Sequence, residues 1–140
     1  MKLITAYLAS LLAFVAIDLV WINLVVIEAY SQAVAPLIIE QPRLAAAIAF
    51  YLVYVGGLVL LAVRPALRDR SAGTAWLNGA LLGAFGYGAY ALTNYAMLAD
   101  WTWHLVWTDM AWGIFISSLV SWIGFRVARL RADTGAATAG

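Results

Sequence analysis

Four long apolar stretches constrain this chain more than any other feature of its sequence. A bilayer core of roughly 30 Å requires about 20 mostly apolar residues in helical form. Stretches of that length lie near residues 3–27, 44–63, 76–98 and 105–127, each bounded by charged residues or helix breakers. Because lipid offers no hydrogen-bond partner to backbone groups, such stretches must be helical. The sequence predicts an all-α polytopic membrane protein with four transmembrane helices in a compact bundle.

Composition agrees with a lipid environment and narrows the classes of partner. Hydrophobic residues make up 66% of the 140 residues and charged residues only 11%, far from the average for a soluble domain. The net charge of +1 leaves no basic block that could neutralise a run of phosphates, so we expect the lipid bilayer as a partner and not nucleic acid. The chain has no cysteine, which excludes disulfides, thiolate catalysis and cysteinyl metal sites.

The first apolar stretch has two interpretations. Lys2 before it and the small-x-small sequence at residues 33–35 after it are typical of a secretory signal. Its apolar run is longer than a signal core of roughly 7–15 residues, and it contains Asp18 and Asn23. We therefore expect a retained transmembrane helix.

Basic residues predict the orientation, because cytoplasmic loops and tails of membrane proteins are enriched in lysine and arginine. The two loops on the opposite side hold one basic residue, Arg43. Residues 1–131 are thus predicted to form one transmembrane domain with both termini cytoplasmic, and the small, polar tail 132–140 to be disordered. The basic residues that share the cytoplasmic side in this arrangement are Lys2, Arg64, Arg68, Arg70, Arg126, Arg129 and Arg131.

The connection over residues 28–43 is long for a helical hairpin and contains an apolar run at residues 36–39. Two interpretations of this run remain open. It forms a short interfacial helix or re-entrant segment, or it is an irregular apolar loop that rests on lipid.

Two aspartates within the predicted spans are the first candidates for a functional site. Asp18 lies well inside the first stretch, and Asp109 lies in the outer part of the fourth. A carboxylate at such a depth costs several kcal/mol unless it is protonated, hydrated or paired, and no lysine or arginine lies at the same depth. Both are candidate catalytic residues. The structural alternative is that each aspartate only hydrogen-bonds to a neighbouring helix.

Repeated aromatic spacings place more polar groups near these aspartates. Asp-x-x-Trp occurs in the first and fourth stretches and Tyr-x-x-Tyr in the second and third, and such spacings keep residues on one helical face. At about 1.5 Å per residue, each stretch contributes such a group between the midplane and the outer surface. The competing explanation for any single tyrosine is the ordinary preference of aromatic residues for interfaces. The predicted outward-facing pocket has these candidate ligand-binding residues: Asp18, Trp21, Tyr51, Tyr54, Tyr87, Tyr90, Asn94, Asp109 and Trp112.

Small residues on the third stretch predict close helix packing. Gly79 and Gly83 are four residues apart, a spacing that lets two helix backbones approach closely. The spacing fits contacts within one chain and contacts between the copies of a homo-oligomer equally well.

His104 is the single histidine, with Asp100 four residues before it and Asp109 five residues after it. Asp100 and His104 are the nearest approach to a pair of metal ligands. No HxxxH or HxxE spacing accompanies them, so we predict no metal site. The sequence identifies no cofactor.

Several motifs, in order and at fitting separations, resemble one known family. They occupy residues 16–21 (AIDLVW), 50–54 (FYLVY), 64–67 (RPAL), 87–94 (YGAYALTN) and 109–113 (DMAWG). Together they resemble the bacterial predicted membrane proteins called domain of unknown function 2177, over nearly the whole chain. The resemblance implies four helices and a location in the bacterial inner membrane, and it implies no activity.

Three hypotheses about function follow from the predicted pocket. In the first, the pocket binds a lipid-like or small amphipathic molecule. In the second, the protein is a lipid-modifying enzyme with Asp18 and Asp109 as an acid/base pair, although no nucleophile-base motif accompanies them. In the third, it is a proton- or cation-coupled transporter, which would require a homo-oligomer because four helices are few for alternating access.

Overall fold

The protein is helical throughout the part of the chain that the structure describes. The computed structural model describes residues 2–34 and 43–137, and the side chains of residues 31, 32, 34 and 132–137 lie outside this description. Over these residues no strand occurs, which confirms the all-α prediction. The elements join into four continuous helical segments: α1 (Lys2–Trp21), a π turn (Ile22–Val26) and α2 (Ile27–Val34); α3 (Leu44–Leu58), a second π turn (Val59–Val63) and α4 (Arg64–Asp69); α5 (Ala72–Met97); and α6 (Trp103–Ala137).

Three helical segments are long and apolar enough to cross a membrane. Within the described residues they are Lys2–Tyr30, Leu44–Asp69 and Trp103–Arg131. The segment formed by α5 is 26 residues long, but its many glycine, tyrosine and asparagine residues lower its mean hydropathy. The first, second and fourth predicted spans are thus confirmed as helices of membrane-spanning length and composition. The third, near residues 76–98, stays a prediction.

The second segment continues through a proline at which the sequence predicts an end. Pro65 occupies the first turn of α4, directly after the π turn Val59–Val63. Proline has no N–H to donate to the carbonyl four residues earlier, which is that of Leu61. The Asn78 side chain of α5 donates to the Leu61 carbonyl at 3.2 Å instead. This replacement partner explains why the helix reaches Asp69 and does not stop at residue 63.

A tight turn joins α4 to α5. Arg70 adopts a left-handed conformation with φ of 52° and ends α4, and its N–H returns to the Ala66 carbonyl. The Ser71 hydroxyl then accepts a hydrogen bond from the Thr74 N–H at 3.2 Å and caps the start of α5. This places α5 antiparallel to the segment before it.

Glycines bring α5 and α6 into direct backbone contact. A Cβ atom added at Gly79 would lie 2.6 Å from the Ser117 carbonyl oxygen, and one added at Gly83 would overlap the Gly113 carbonyl. Only glycine fits at these two positions of α5. The predicted small-residue packing thus occurs within one chain.

The core lies where α1, the second segment, α5 and α6 meet. Phe14 of α1 is fully buried and packs edge-on against Tyr51 and Tyr54 of α3, with ring centroids 5.7 and 5.6 Å apart. Ser10, one turn earlier, donates to the Val120 carbonyl of α6 at 3.2 Å. These contacts hold α1 against both α3 and α6.

The outer surface of the bundle is apolar. Ile4, Leu12, Leu24, Val53 and Phe85 are each at least 66% exposed. Exposed side chains of this kind on all sides of a helical protein fit contact with lipid.

Two predictions concern residues near the limits of the described chain. The segment predicted to be interfacial or re-entrant has its apolar run at residues 36–39, which lie outside the described residues. Helix α6 runs to Ala137, beyond the predicted span end near residue 127, so the backbone of the predicted tail is helical over 132–137. Alanine is frequent there and favours helix. Residues 138–140 lie outside the described chain.

Candidate functional site

Asp18 joins three helices through its side chain. It lies in α1 and is 8% exposed. The Tyr51 hydroxyl of α3 donates to its Oδ2 at 2.8 Å, and the Trp112 indole N–H of α6 donates to its Oδ1 at 3.1 Å. Both carboxylate oxygens are therefore hydrogen-bonded within the protein, which is the condition under which a polar group is retained at low cost in an apolar environment.

Asp109 is equally buried but less completely satisfied. It lies in α6, is 7% exposed, and accepts a hydrogen bond on Oδ1 from the Tyr30 hydroxyl of α2. Its Oδ2 is buried and has no hydrogen-bond partner among the described residues. A buried acceptor without a donor costs about 1–3 kcal/mol, and more when the group is charged. Asp109 therefore has one buried acceptor oxygen that no described residue satisfies.

A cavity of about 450 Å³ lies between the helices beside both aspartates. Its wall is mostly apolar and aromatic, and the two carboxylates are its only acidic groups. None of the lining residues is basic. The residues that line it are Asp18, Trp21, Ile22, Val26, Tyr30, Phe50, Tyr54, Gly86, Tyr87, Tyr90, Asp109 and Trp112.

Packed aromatic rings fix the shape of the cavity wall. Trp21 and Trp112 stack with ring centroids 4.2 Å apart and an interplanar angle of 5°. Phe50 stacks on Tyr54 at 5.3 Å, and Tyr54 meets Tyr87 edge-on at 6.1 Å. Rings held in pairs lose little freedom when a ligand contacts them, so the wall is largely pre-formed.

The cavity is not fully enclosed, and two residues of its wall, one on α3 and one on α5, are partly exposed. Phe50 of α3 and Tyr90 of α5 both line it, and they are 46% and 54% exposed. Residues 43–50 of the chain, which include the first half of α3, are all exposed. Phe50 and Tyr90 therefore connect the wall of the cavity with the exposed outer surface of the bundle.

The structure brings most of the predicted site residues together. Of the nine candidates, all except Tyr51 and Asn94 line the cavity. Tyr51 holds Asp18 by its hydrogen bond, and Asn94 lies one turn beyond Tyr90 and is half-buried. Whether any of these residues binds a ligand stays a prediction.

Tyr30 is the contact that the sequence interpretation missed. The predicted span ended near residue 27, whereas the helix continues and carries Tyr30 to Asp109. Positions 18, 22, 26 and 30 are spaced by four, and in an α-helix of about 3.6 residues per turn such positions drift around the axis. The wider π turn Ile22–Val26 offsets that drift and keeps them on the cavity side. Ile22, Val26, Phe50 and Gly86, also not predicted, complete the wall.

The sequence offers Asp100 and His104 as its nearest approach to a metal-binding pair. His104 and Asp100 are both exposed, near the start of α6. The described part of the chain contains no group of three or more histidine, cysteine, aspartate or glutamate side chains that could hold a metal ion. Asp109, five residues after His104 in the sequence, accepts a hydrogen bond from Tyr30.

Comparison with known proteins gives one match. No curated protein and no solved structure matches the chain. The family model described as predicted membrane protein (DUF2177) matches residues 3–126, which is most of the chain and includes every helix that lines the cavity. The match confirms the resemblance inferred from the motifs. This chain belongs to the DUF2177 family of predicted membrane proteins.

Proposed function

We propose that this protein binds a lipid-like or small amphipathic molecule in the cavity between its helices. The observation that carries the proposal is the cavity itself, with an aromatic and aliphatic wall and two buried aspartates in its lining. Ligand sites typically occupy about 300–1,000 Å³ and combine apolar walls with a few polar groups. The 450 Å³ measured here fits a head group and part of a tail.

The position of the opening supports a ligand that arrives from lipid. Phe50 and Tyr90 flank it on the apolar side of the bundle. A molecule dissolved in the bilayer can enter sideways between α3 and α5 without passing through water. Its tail would remain against the exposed apolar surface while its polar end reaches the aspartates.

The hydrogen bonds of Asp18 favour binding over acid/base catalysis. A catalytic pair requires both carboxylates within hydrogen-bond reach of a substrate. Both oxygens of Asp18 accept protein hydrogen bonds, from Tyr51 and Trp112. Asp18 is thus suited to holding the helices together around the cavity, and Asp109 to meeting a ligand.

We place the protein in the bacterial inner membrane with four spans and both termini cytoplasmic. The 26 residues of α5 measure about 39 Å at 1.5 Å per residue, enough to cross a bilayer core of roughly 30 Å. Its glycines seat it against α6, so its polar residues need not face lipid. The arginines at the α4–α5 turn and on α6 support the orientation.

The proposal is tested with 10-bromodecanol, a neutral amphiphile whose bromine quenches tryptophan fluorescence at short range. The protein is held in lipid nanodiscs. We expect a saturable quenching component, because Trp21 and Trp112 line the cavity.

The Gly86→Leu variant should lose this component, since a Cβ atom at Gly86 already lies 3.3 Å from the Tyr54 ring and a longer side chain fills the cavity. The matched control is Gly57→Leu, because a Cβ atom at Gly57 meets nothing within 4 Å. Quenching that is not saturable, or that is the same in both variants, would mean that the cavity binds no amphiphile.

A further inference from the structure

The lining of the cavity is acidic and includes no basic side chain. Two carboxylates line it, and none of its lining residues is lysine or arginine. The chain has eight such residues in total, all of them lie in the part that the structure describes, and none lines the cavity. An aspartate at membrane depth is protonated, hydrated or paired, and no basic residue lines the cavity to pair with either one.

The aromatic wall adds a second feature that suits positive charge. Trp21, Trp112, Tyr54, Tyr87 and Tyr90 all line the cavity. The faces of aromatic rings carry partial negative charge and attract ammonium groups, most strongly where water is excluded. An anionic head group, such as a phosphate or a fatty-acid carboxylate, would meet repulsion from either aspartate in its ionised form.

A third feature is the unpaired oxygen of Asp109. The residue is 93% buried, since 7% of its surface is exposed, and its Oδ2 lacks a donor among the described residues. The Oδ1 atom already accepts from Tyr30, and the residue lines the cavity, so a donor held there would lie beside this carboxyl group. A protonated amine supplies both the donor and the positive charge.

From these three features we infer that the ligand of the cavity is an amphipathic amine, with its ammonium group at Asp109 and its apolar chain directed past Phe50 and Tyr90. The inference rests on the proposed function and adds the charge and the chemical class of the head group. Asp18 contributes its negative charge while its own oxygens stay on Tyr51 and Trp112.

The test compares three probes that share a ten-carbon chain: decylammonium, decanol and decyl sulfate. Binding to the full-length protein in nanodiscs of neutral lipid is measured by calorimetry, with empty nanodiscs subtracted. We expect decylammonium to bind at least about tenfold more tightly than the other two, because a hydrogen bond to a charged group contributes that much or more.

The variant arm uses Asp109→Asn, which keeps the side-chain volume and removes the charge. Decylammonium affinity should fall about tenfold, to near that of decanol, while decanol binding changes little. The matched control is Asp69→Asn, an exposed aspartate at the far end of α4, which should bind like the unaltered protein.

The outcomes separate the two claims. If decanol and decyl sulfate bind as tightly as decylammonium, the cavity accepts amphiphiles and the inference about charge is overturned. If none of the three binds, the proposed function itself fails. The comparison of the probes on the unaltered protein decides the matter even if Asp109→Asn does not fold.

Discussion

Asp18 accepts one hydrogen bond on each carboxylate oxygen, from Tyr51 of α3 and from Trp112 of α6. Asp109 accepts from Tyr30 on one oxygen, and its other oxygen has no donor in the described part of the chain. Two residues of the same type and similar burial therefore differ in what they can do. We propose that Asp18 stabilises the arrangement of three helices and that Asp109 meets the ligand.

At this scale we predict that Asp18→Leu lowers the free energy of unfolding by about 1–3 kcal/mol, because it leaves the Tyr51 hydroxyl and the Trp112 indole N–H without an acceptor. Asp18→Asn keeps one acceptor oxygen and should cost less. Reversible unfolding in detergent micelles measures both values. Asp69→Leu, at an exposed position, is the control and should change stability little. Equal stability of Asp18→Leu and the unaltered protein would contradict a structural role for Asp18.

The helical elements are positioned by two features of different kinds. Glycines let α5 and α6 touch at the backbone, and a side-chain hydrogen bond from Asn78 replaces the one that Pro65 cannot donate. The first is a packing effect, and the second satisfies a polar group in an apolar environment. Together they fix α5, which carries Gly86, Tyr87 and Tyr90 to the cavity.

The α5–α6 contact predicts that Gly83→Ala lowers stability by about 1–3 kcal/mol, the usual cost of overpacking. A Cβ atom at Gly83 would overlap the Gly113 backbone, so the two helices must separate. Gly57→Ala is the matched control, since its Cβ atom has open space and alanine favours helix. A thermal melt of both variants measures the difference. Similar melting temperatures for the two variants would contradict the backbone contact.

Helical periodicity could predict much of this site but not all of it. Asp18, Asp109, Tyr87 and Trp112 were placed together by spacings of three and four, and the structure has all of them beside one cavity. Tyr30 could not be assigned to this site from the sequence, because its position depends on a π turn that no residue pattern predicts. The hydrogen bonds between helices depend on rotation and tilt, which a one-dimensional pattern does not contain.

The whole molecule is a bundle with an apolar exterior and a mostly apolar cavity that holds two acidic side chains. Three of its helical segments are long and apolar enough to cross a membrane, and its family is one of predicted membrane proteins. The third span was predicted from the length of its apolar stretch. Helix α5 is nevertheless too rich in glycine and polar residues to resemble an isolated lipid-facing helix. Packing accommodates this composition, because α6 covers the glycine face of α5.

The orientation can be measured by labelling single cysteines, because the chain has none of its own. Arg68→Cys should be protected from a membrane-impermeant maleimide in intact cells and labelled after lysis. Asp100→Cys should be labelled in intact cells, since the positive charges place its loop outside. Labelling of Arg68→Cys in intact cells would reverse the orientation, and protection of both sites would contradict an odd number of spans between them.

The central claim is that an amphiphile occupies the cavity between the helices, and photoaffinity labelling tests it most directly. A decanol analogue with a diazirine on its chain is bound to the protein in nanodiscs, irradiated, and its attachment sites are mapped by peptide mass spectrometry. Our account predicts attachment to cavity residues such as Trp21, Tyr54 and Tyr87, with loss of that attachment when unlabelled decanol competes. Attachment confined to outward-facing residues such as Leu12 and Val53, and unaffected by competition, would contradict it.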